Sequence, residues 1–142
     1  MDIAQLPFNK LIGLELAPQG SGFMVSIPDH PQYFNHLGTV HGSALVAVAE
    51  AGSGEFLLRQ LGHNKGFVPV VRKLTAKFRK PATGQVFSRC STTQDVIDAW
   101  SAELASRGRL LASVPMEVVD SRGEVVMSAL VQWFISKGQG KL

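Results

Sequence analysis

A chain of 142 residues has room for one ordinary domain and not for two separate cores. With 45% hydrophobic and 18% charged residues, the balance is that of a folded protein and excludes a disordered one. The net charge of +3 comes with no basic run or nucleic-acid motif, and the single cysteine, Cys90, excludes an intramolecular disulfide and a zinc cluster.

The opening MDIAQLPFNK lacks the basic, then apolar, then small-residue layout of a signal peptide. The most apolar run, Ala44 to Leu58, is interrupted by Glu50 and Glu55, so neither a membrane span nor a membrane partner is expected, and the predicted location is the cytoplasm. Leu6, Pro7 and FNKLIG predict a short helix, with proline in the first turn and Gly13 ending it. LELAPQGSGFMVSIP predicts two short strands about a Pro/Gly turn, and Gln32 to Val40 a loop.

A helix is predicted from about Gly42 to Gln60, with Gly62 to cap it and Arg59 well placed in the last turn. Its first two and a half turns are apolar or small on every side, which predicts a helix surrounded by other elements. Gly42, Gly52 and Gly54 lower its helix propensity, and close approach of something else to the helix backbone would account for them.

FVPVVRKLTAKFRK alternates, with Val68, Val70, Leu74, Ala76 and Phe78 on one face and Lys73, Thr75, Lys77 and Arg79 on the other. That predicts a strand in an antiparallel sheet with one covered face. Arg72 falls on the apolar side, so it marks a bulge or pairs with a carboxylate near the site. PATG turns the chain into a further strand, QVFSRCS. In TTQDVIDAWSAELASRG the period becomes helical, with Val96, Ile97, Trp100 and Leu104 on one face, Thr93 to cap the start and Gly108 to close the end. Two long strands, RLLASVPMEVVD and EVVMSALVQWFISK, join through a hairpin at Ser121, Arg122 and Gly123, before a loose KGQGKL tail. The sum is an α+β domain of about five or six antiparallel strands, whose sheet curls round one central helix.

The chemistry concentrates in NHLGTVHGSALVAVAE, residues 35–50. The first N–H groups of a helix lack intrahelical partners and carry the positive end of its dipole. Aimed at a carbonyl oxygen, they stabilise negative charge as it develops there. A carboxylate in the middle of an apolar helix is a poor packing choice, yet desolvation raises its pKa and makes it a useful base or nucleophile.

The Asn-x-x-Gly-x-x-His-Gly lead-in of Asn35, Gly38, His41 and Gly42, followed by Glu50, resembles the hotdog-fold acyl-CoA thioesterases, and the likeness in element order covers nearly the whole chain. The resemblance implies one hotdog domain over residues 1–142. It implies that Gly42 presents its backbone N–H to a thioester carbonyl, that Glu50 is the catalytic carboxylate, and that Asn35 holds the lytic water or the carbonyl oxygen. The carboxylate is glutamate in the 4-hydroxybenzoyl-CoA type and aspartate in the phenylacetate-pathway type. Ser43 stands where a second glycine usually follows His-Gly, and Gly54 where a hydroxyl often lies, with Ser53 as a displaced candidate. Lys73, Lys77, Arg79 and Lys80 are candidates to receive coenzyme A phosphates, and Arg72 is a further candidate at the site. The coenzyme belongs to the substrate, so no separate cofactor is implied.

Gly42 and Glu50 are eight residues apart, about 12 Å along a helix at about 1.5 Å per residue. One carbonyl carbon cannot be served by both from a single helix, so a joint role predicts a site across a two-fold interface, in a dimer or a dimer of dimers.

Each candidate also has a structural reading. Glu50 can pair across an interface without chemistry; His41 can fix the loop before the helix by hydrogen bonds; any one basic residue can belong to a solvated face. Ser43 and Ser53 lie in no Gly-x-Ser-x-Gly elbow, and Cys90 reads as a packing residue. Two functions follow: an acyl-thioester hydrolase, or a non-catalytic module that holds an acyl-CoA or acyl chain.

Overall fold

The computed structural model describes residues 1–62 and 66–138. Of the predicted tail, residues 139–142 lie outside the described residues. A short helix, α1 (Pro7–Leu11), has Pro7 at its start, and Gly13 turns the chain out of it at a φ of 73°. Strands β1 (Glu15–Leu16) and β2 (Val25–Ile27) pair antiparallel about the Pro/Gly turn, as the sequence predicts. Part of the expected loop forms a 3-10 turn, Pro31–Tyr33, and another such turn, Ile3–Gln5, precedes α1.

The long helix α2 (Gly42–Leu61) is followed by β3 (Phe67–Phe78), β4 (Val86–Cys90), α3 (Gln94–Arg107), β5 (Arg109–Val119) and β6 (Val125–Lys137). The six strands form one antiparallel sheet in the order β1-β2-β4-β5-β6-β3. Its concave face wraps α2, which is the α+β hotdog architecture that the sequence implies. Alternation puts Leu110, Ala112, Val114, Met116 and Val118 of β5 under the helix, beside Met127, Val131 and Trp133 of β6.

Gly52 lets α2 rest directly on β4. A Cβ at this position would collide with the Ser88 side chain and come within 3.0 Å of Met116. The close approach expected for the helix glycines is therefore met at Gly52, whereas Gly54 packs under Trp133 and Ile3 with ordinary clearance. On this sheet-facing side Leu45, Val48, Ala49, Ser53, Phe56 and Leu57 are buried.

The helix is not surrounded, however. Ser43 is exposed, and Val46, Ala47 and Glu50 are half-buried along one stripe, because the chain supplies a single covering sheet. Two further expectations change. Ile97, Trp100 and Leu104 of α3 are buried and join the main core, but Val96 lies one position off that stripe and is exposed. Thr93 occupies the N-cap of α3 without a side-chain capping bond, while Gly108 closes the helix in the left-handed conformation.

In β3 the pairing with β6 shifts register between Val71 and Lys73, so Arg72 is the extra residue of a β-bulge. The bulge inverts the alternation. Phe67 and Val71 pack towards the core before it and Leu74 after it, while Val68 and Val70 fall on the opposite face from Leu74. Arg72 also lies over the Phe134 ring, 5.7 Å from its centroid. The strand forms a sheet edge, and none of its twelve residues is fully buried.

Replacing Gly52 with alanine is expected to destabilise the fold by about 1–3 kcal/mol, since Ser88 and the backbone of β4 must move. Urea denaturation measures this; an unchanged midpoint would show that α2 does not rest so closely on β4.

Candidate active site

The N-terminus of α2 is built by hydrogen bonds from the loop before it. His41 is the N-cap, with extended backbone angles of −61° and 138°, and its Nδ1 accepts the Ser43 N–H at 3.0 Å. The structural role expected of a histidine in this position is therefore present, and Nε2 is left to carry the ring proton. The carbonyl of His41 accepts the N–H groups of Ala44 and Leu45. The Gly42 N–H has no acceptor among the described residues, so it is a free donor at the positive end of the helix.

Asn35 acts within its own loop. Its Oδ1 accepts the N–H groups of Leu37 and Thr39 at 2.9 and 3.2 Å, and its Nδ2 donates to Thr39 Oγ1 at 2.9 Å. Gly38 completes the turn at a φ of 73°. The amide thus fixes the path of the chain towards Gly42, and one Nδ2 hydrogen is left unassigned.

Two cavities flank the first turn of α2. One, about 370 Å³, brings Asn35, Gly42, Arg79 and Lys80 together, with Phe78 packed against Gly42. Arg79 Nε donates to Ser128 Oγ, and Lys80 pairs with Glu124 at 2.7 Å on the surface, where such a pair leaves the cation available to solvent. The other cavity, about 430 Å³, is lined on the helix side by His41, Ser43, Ala44 and Ala47, and opposite them by α1 and the Tyr33 turn.

Glu50 lies one turn beyond Ala47 on the uncovered stripe of α2. Burial raises its carboxyl pKa, and among the described residues no hydrogen bond or cation offsets that. A half-buried carboxylate with raised pKa and free oxygens is poised to take a proton or to attack an electrophile.

The remaining predicted residues lie elsewhere. Ser53 is fully buried on the sheet side: its hydroxyl donates to the Glu50 carbonyl at 2.6 Å and accepts the Trp133 Nε1–H at 2.9 Å. Gly54 lies on that same side. Arg72 and Lys77 line neither cavity, since Arg72 stacks on Phe134 and Lys77 pairs with Ser128 on the outer face of the edge strand. Among the described residues no cluster of His, Cys, Asp and Glu could hold a metal ion.

Sequence reasoning missed Phe78 as a wall and Asp120 as an anchor. Asp120, buried beneath the β5–β6 hairpin, accepts N–H groups from Thr83, Arg122 and Glu124 and an ion pair from Arg122 at 2.8 Å. Burial opposes its ionisation, but these bonds outweigh it and hold its pKa below the usual carboxylate range. Arg122 also donates to the Pro81 carbonyl, so this network fixes the turn that floors the Arg79–Lys80 cavity. The signal in the sequence was an acid just before the hairpin turn, with an arginine two residues on.

A raised pKa for Glu50 means that the folded state holds its proton more tightly than the unfolded chain, so stability falls as pH rises through the folded pKa. Glu50→Gln is expected to raise the urea midpoint at pH 8, and the gain should shrink as pH falls and vanish below about pH 4, where both states become protonated. A pH-independent difference would mean that the carboxylate is not desolvated. Ser53→Ala, by contrast, should cost about 1–3 kcal/mol through the unpaired Trp133 indole, read in urea titration by tryptophan fluorescence.

Comparison with known proteins adds to this geometry. No curated protein matches the chain. Among solved structures, a Pseudomonas aeruginosa protein of unknown function, described as a probable thioesterase, is 24% identical, over 94% of this chain and 90% of that one, with a TM-score of 0.80. A Bacillus halodurans protein solved with CoA is 22% identical over 90% and 74% of the two chains, with a TM-score of 0.68. A thioesterase from Haemophilus influenzae is 13% identical over 95% and 86%, also with a TM-score of 0.68. At these identities the shared property is the fold. A family model described as a domain of unknown function, DUF4442, matches residues 13–135, and the chain belongs to that family.

Proposed function

We propose that this protein hydrolyses an acyl-CoA, or a related acyl thioester, at a site shared by two copies of the chain. The observation that carries the reading is a pair of groups on one helix with no partner among the described residues: the Gly42 N–H and the desolvated carboxylate of Glu50. The hotdog fold, the motif from Asn35 to Glu50, and the CoA held by the Bacillus halodurans protein of similar fold support it.

In this reading the thioester oxygen receives the Gly42 N–H, which strengthens as the carbonyl becomes tetrahedral. Glu50 of a second copy reaches the same carbon. As a general base it takes a proton from water, the water oxygen bonds to the carbonyl carbon, and collapse breaks the C–S bond to release the thiolate, which is then protonated. As a nucleophile it forms a mixed anhydride with loss of the thiolate, and water then cleaves that anhydride. Both routes consume one water and yield an acid and a thiol. Asn35 and His41 shape the entry to the helix, and Arg79 and Lys80 offer charge to the coenzyme phosphates.

Two features favour the two-fold arrangement. The stripe of Ser43, Ala47 and Glu50 is uncovered, and β3 offers a long unpaired edge to a second copy. A dimer pairing these edges sets two α2 helices side by side and covers both stripes.

Gly42→Pro separates the oxyanion donor from the helix. Proline suits the first helical position and lacks only the N–H in question, and His41 before it already has the extended angles proline demands. The variant should fold, with Phe78 shifting slightly, and lose about 10²–10³ in kcat. Glu50→Gln should lose about 10²–10⁴ as a folded dimer. Thiol release from short, medium and aromatic acyl-CoAs measures both; a strictly monomeric protein, or full turnover by either variant, would sink the composite site, and bound acyl-CoA without turnover would indicate a binding module.

A further inference from the structure

We propose that α1 forms the acyl-recognition wall of this site and selects uncharged, apolar acyl groups of medium length over short ones and over those ending in a carboxylate. The inference rests on the thioester reading and goes beyond it to the class of substrate.

The two cavities at the head of α2 differ in character. The one holding Gly42 carries Arg79 and Lys80, whereas the one beside His41 and Ser43 has no Lys, Arg, Asp or Glu in its lining. An acyl-CoA has an apolar end and an anionic end, joined near the thioester. With its carbonyl at the helix N-terminus it has one favourable orientation: phosphates towards Arg79 and Lys80, acyl group towards α1. A terminal carboxylate in the second cavity would lose water without meeting a lysine or arginine, which is a basis for rejection.

That wall is made by Phe8, Leu11 and Ile12, at the i, i+3 and i+4 spacing that puts them on one side of α1, facing Ile27 and Tyr33. Phe8 and Leu11 are 63% and 81% exposed, so two large apolar side chains stand open to water beside that cavity. Packing within the chain does not account for their presence, and an apolar ligand would. The volume of about 430 Å³, at roughly 30 Å³ per water-sized group, accommodates on the order of a dozen such groups, enough for a medium aliphatic chain or an aryl acid.

The wall is also fixed before any ligand arrives. The Tyr33 hydroxyl donates to the Ile12 carbonyl at 2.6 Å, beneath Gly13, and the Tyr33 carbonyl accepts the His41 N–H at 2.7 Å. One residue therefore ties α1 to the cap of α2. Asn9 is buried and donates to the Ile3 carbonyl, which anchors the inner side of α1. Little ordering is left for binding to supply.

Calorimetry with non-hydrolysable thioethers tests this on the intact protein: S-octyl-CoA, the same compound ending in a carboxylate, and free coenzyme A. The octyl compound should bind at least about tenfold tighter than the other two. Leu11→Asp and Phe8→Ser, both on exposed positions and so compatible with folding, should each remove about tenfold of that preference while leaving coenzyme A binding unchanged. Equal affinity for the three ligands, or an octyl preference untouched by both variants, would overturn the acyl wall and leave the thioesterase reading standing. Loss of dimer in Leu11→Asp, with octyl binding intact, would make α1 an interface instead. Failure of every ligand, coenzyme A included, would reject the thioester reading and this inference with it.

Discussion

A helix lies on a sheet at the distance its contact residues allow, and in α2 the decisive contact is Gly52 against Ser88 and Met116. With no side chain on Gly52 itself, the helix sinks against β4, and Leu45, Val48 and Ala49 fill the space on either side. That depth determines the rest of the site. It turns Ser53 inward, where it satisfies the Trp133 indole, and it turns Ser43, Ala47 and Glu50 outward. A larger residue at the contact would lift the helix, shifting the carboxylate and carrying the free N–H away from the loop of Asn35 and Thr39.

The electrostatics at the two ends of this arrangement are complementary. The helix start offers positive potential, because the capping bond of His41 goes to Ser43 and leaves the Gly42 N–H without an acceptor among the described residues. Two turns on, Glu50 carries a charge that its surroundings disfavour. In water neither group would do much; where solvent is displaced, both interactions strengthen. A polypeptide retains such unspent groups at a cost in stability, which the proposed reading accounts for as preparation for a thioester.

Much of this was legible in the sequence because the stretch from Asn35 to Glu50 uses residue types that packing alone would not choose. An N-cap histidine, a glycine at the first helical position and an acid amid alanines and valines can each be read without coordinates. The wrap of sheet round helix followed from the change between periods of two and 3.6. What could not be read was direction. A helix apolar on every side does not reveal which side meets the sheet, so Ser53 and Gly54 looked as available as Ser43. Nor does a five-residue helix declare that its exposed Phe8 and Leu11 border a cavity, since that depends on Tyr33, far along the chain. Arg79 and Lys80 could be distinguished from Lys77 only once the end of β3 had been placed beside Asn35 and Gly42.

The misassigned face of β3 has a simple origin. A count by twos runs correctly from Phe67 to Val71 and again from Lys73 to Phe78, and fails only where it crosses Arg72. Without that arginine the two halves join in one unbroken alternation, with Phe67, Pro69, Val71, Leu74, Ala76 and Phe78 all on the helix side. Arg72 is thus an insertion in a strand already complete without it. The ladder gives up its regularity at one point, and in exchange the edge gains a local twist and a cation held over Phe134. Any strand laid along this edge must accommodate that irregularity, so the bulge sets the register of whatever pairs there.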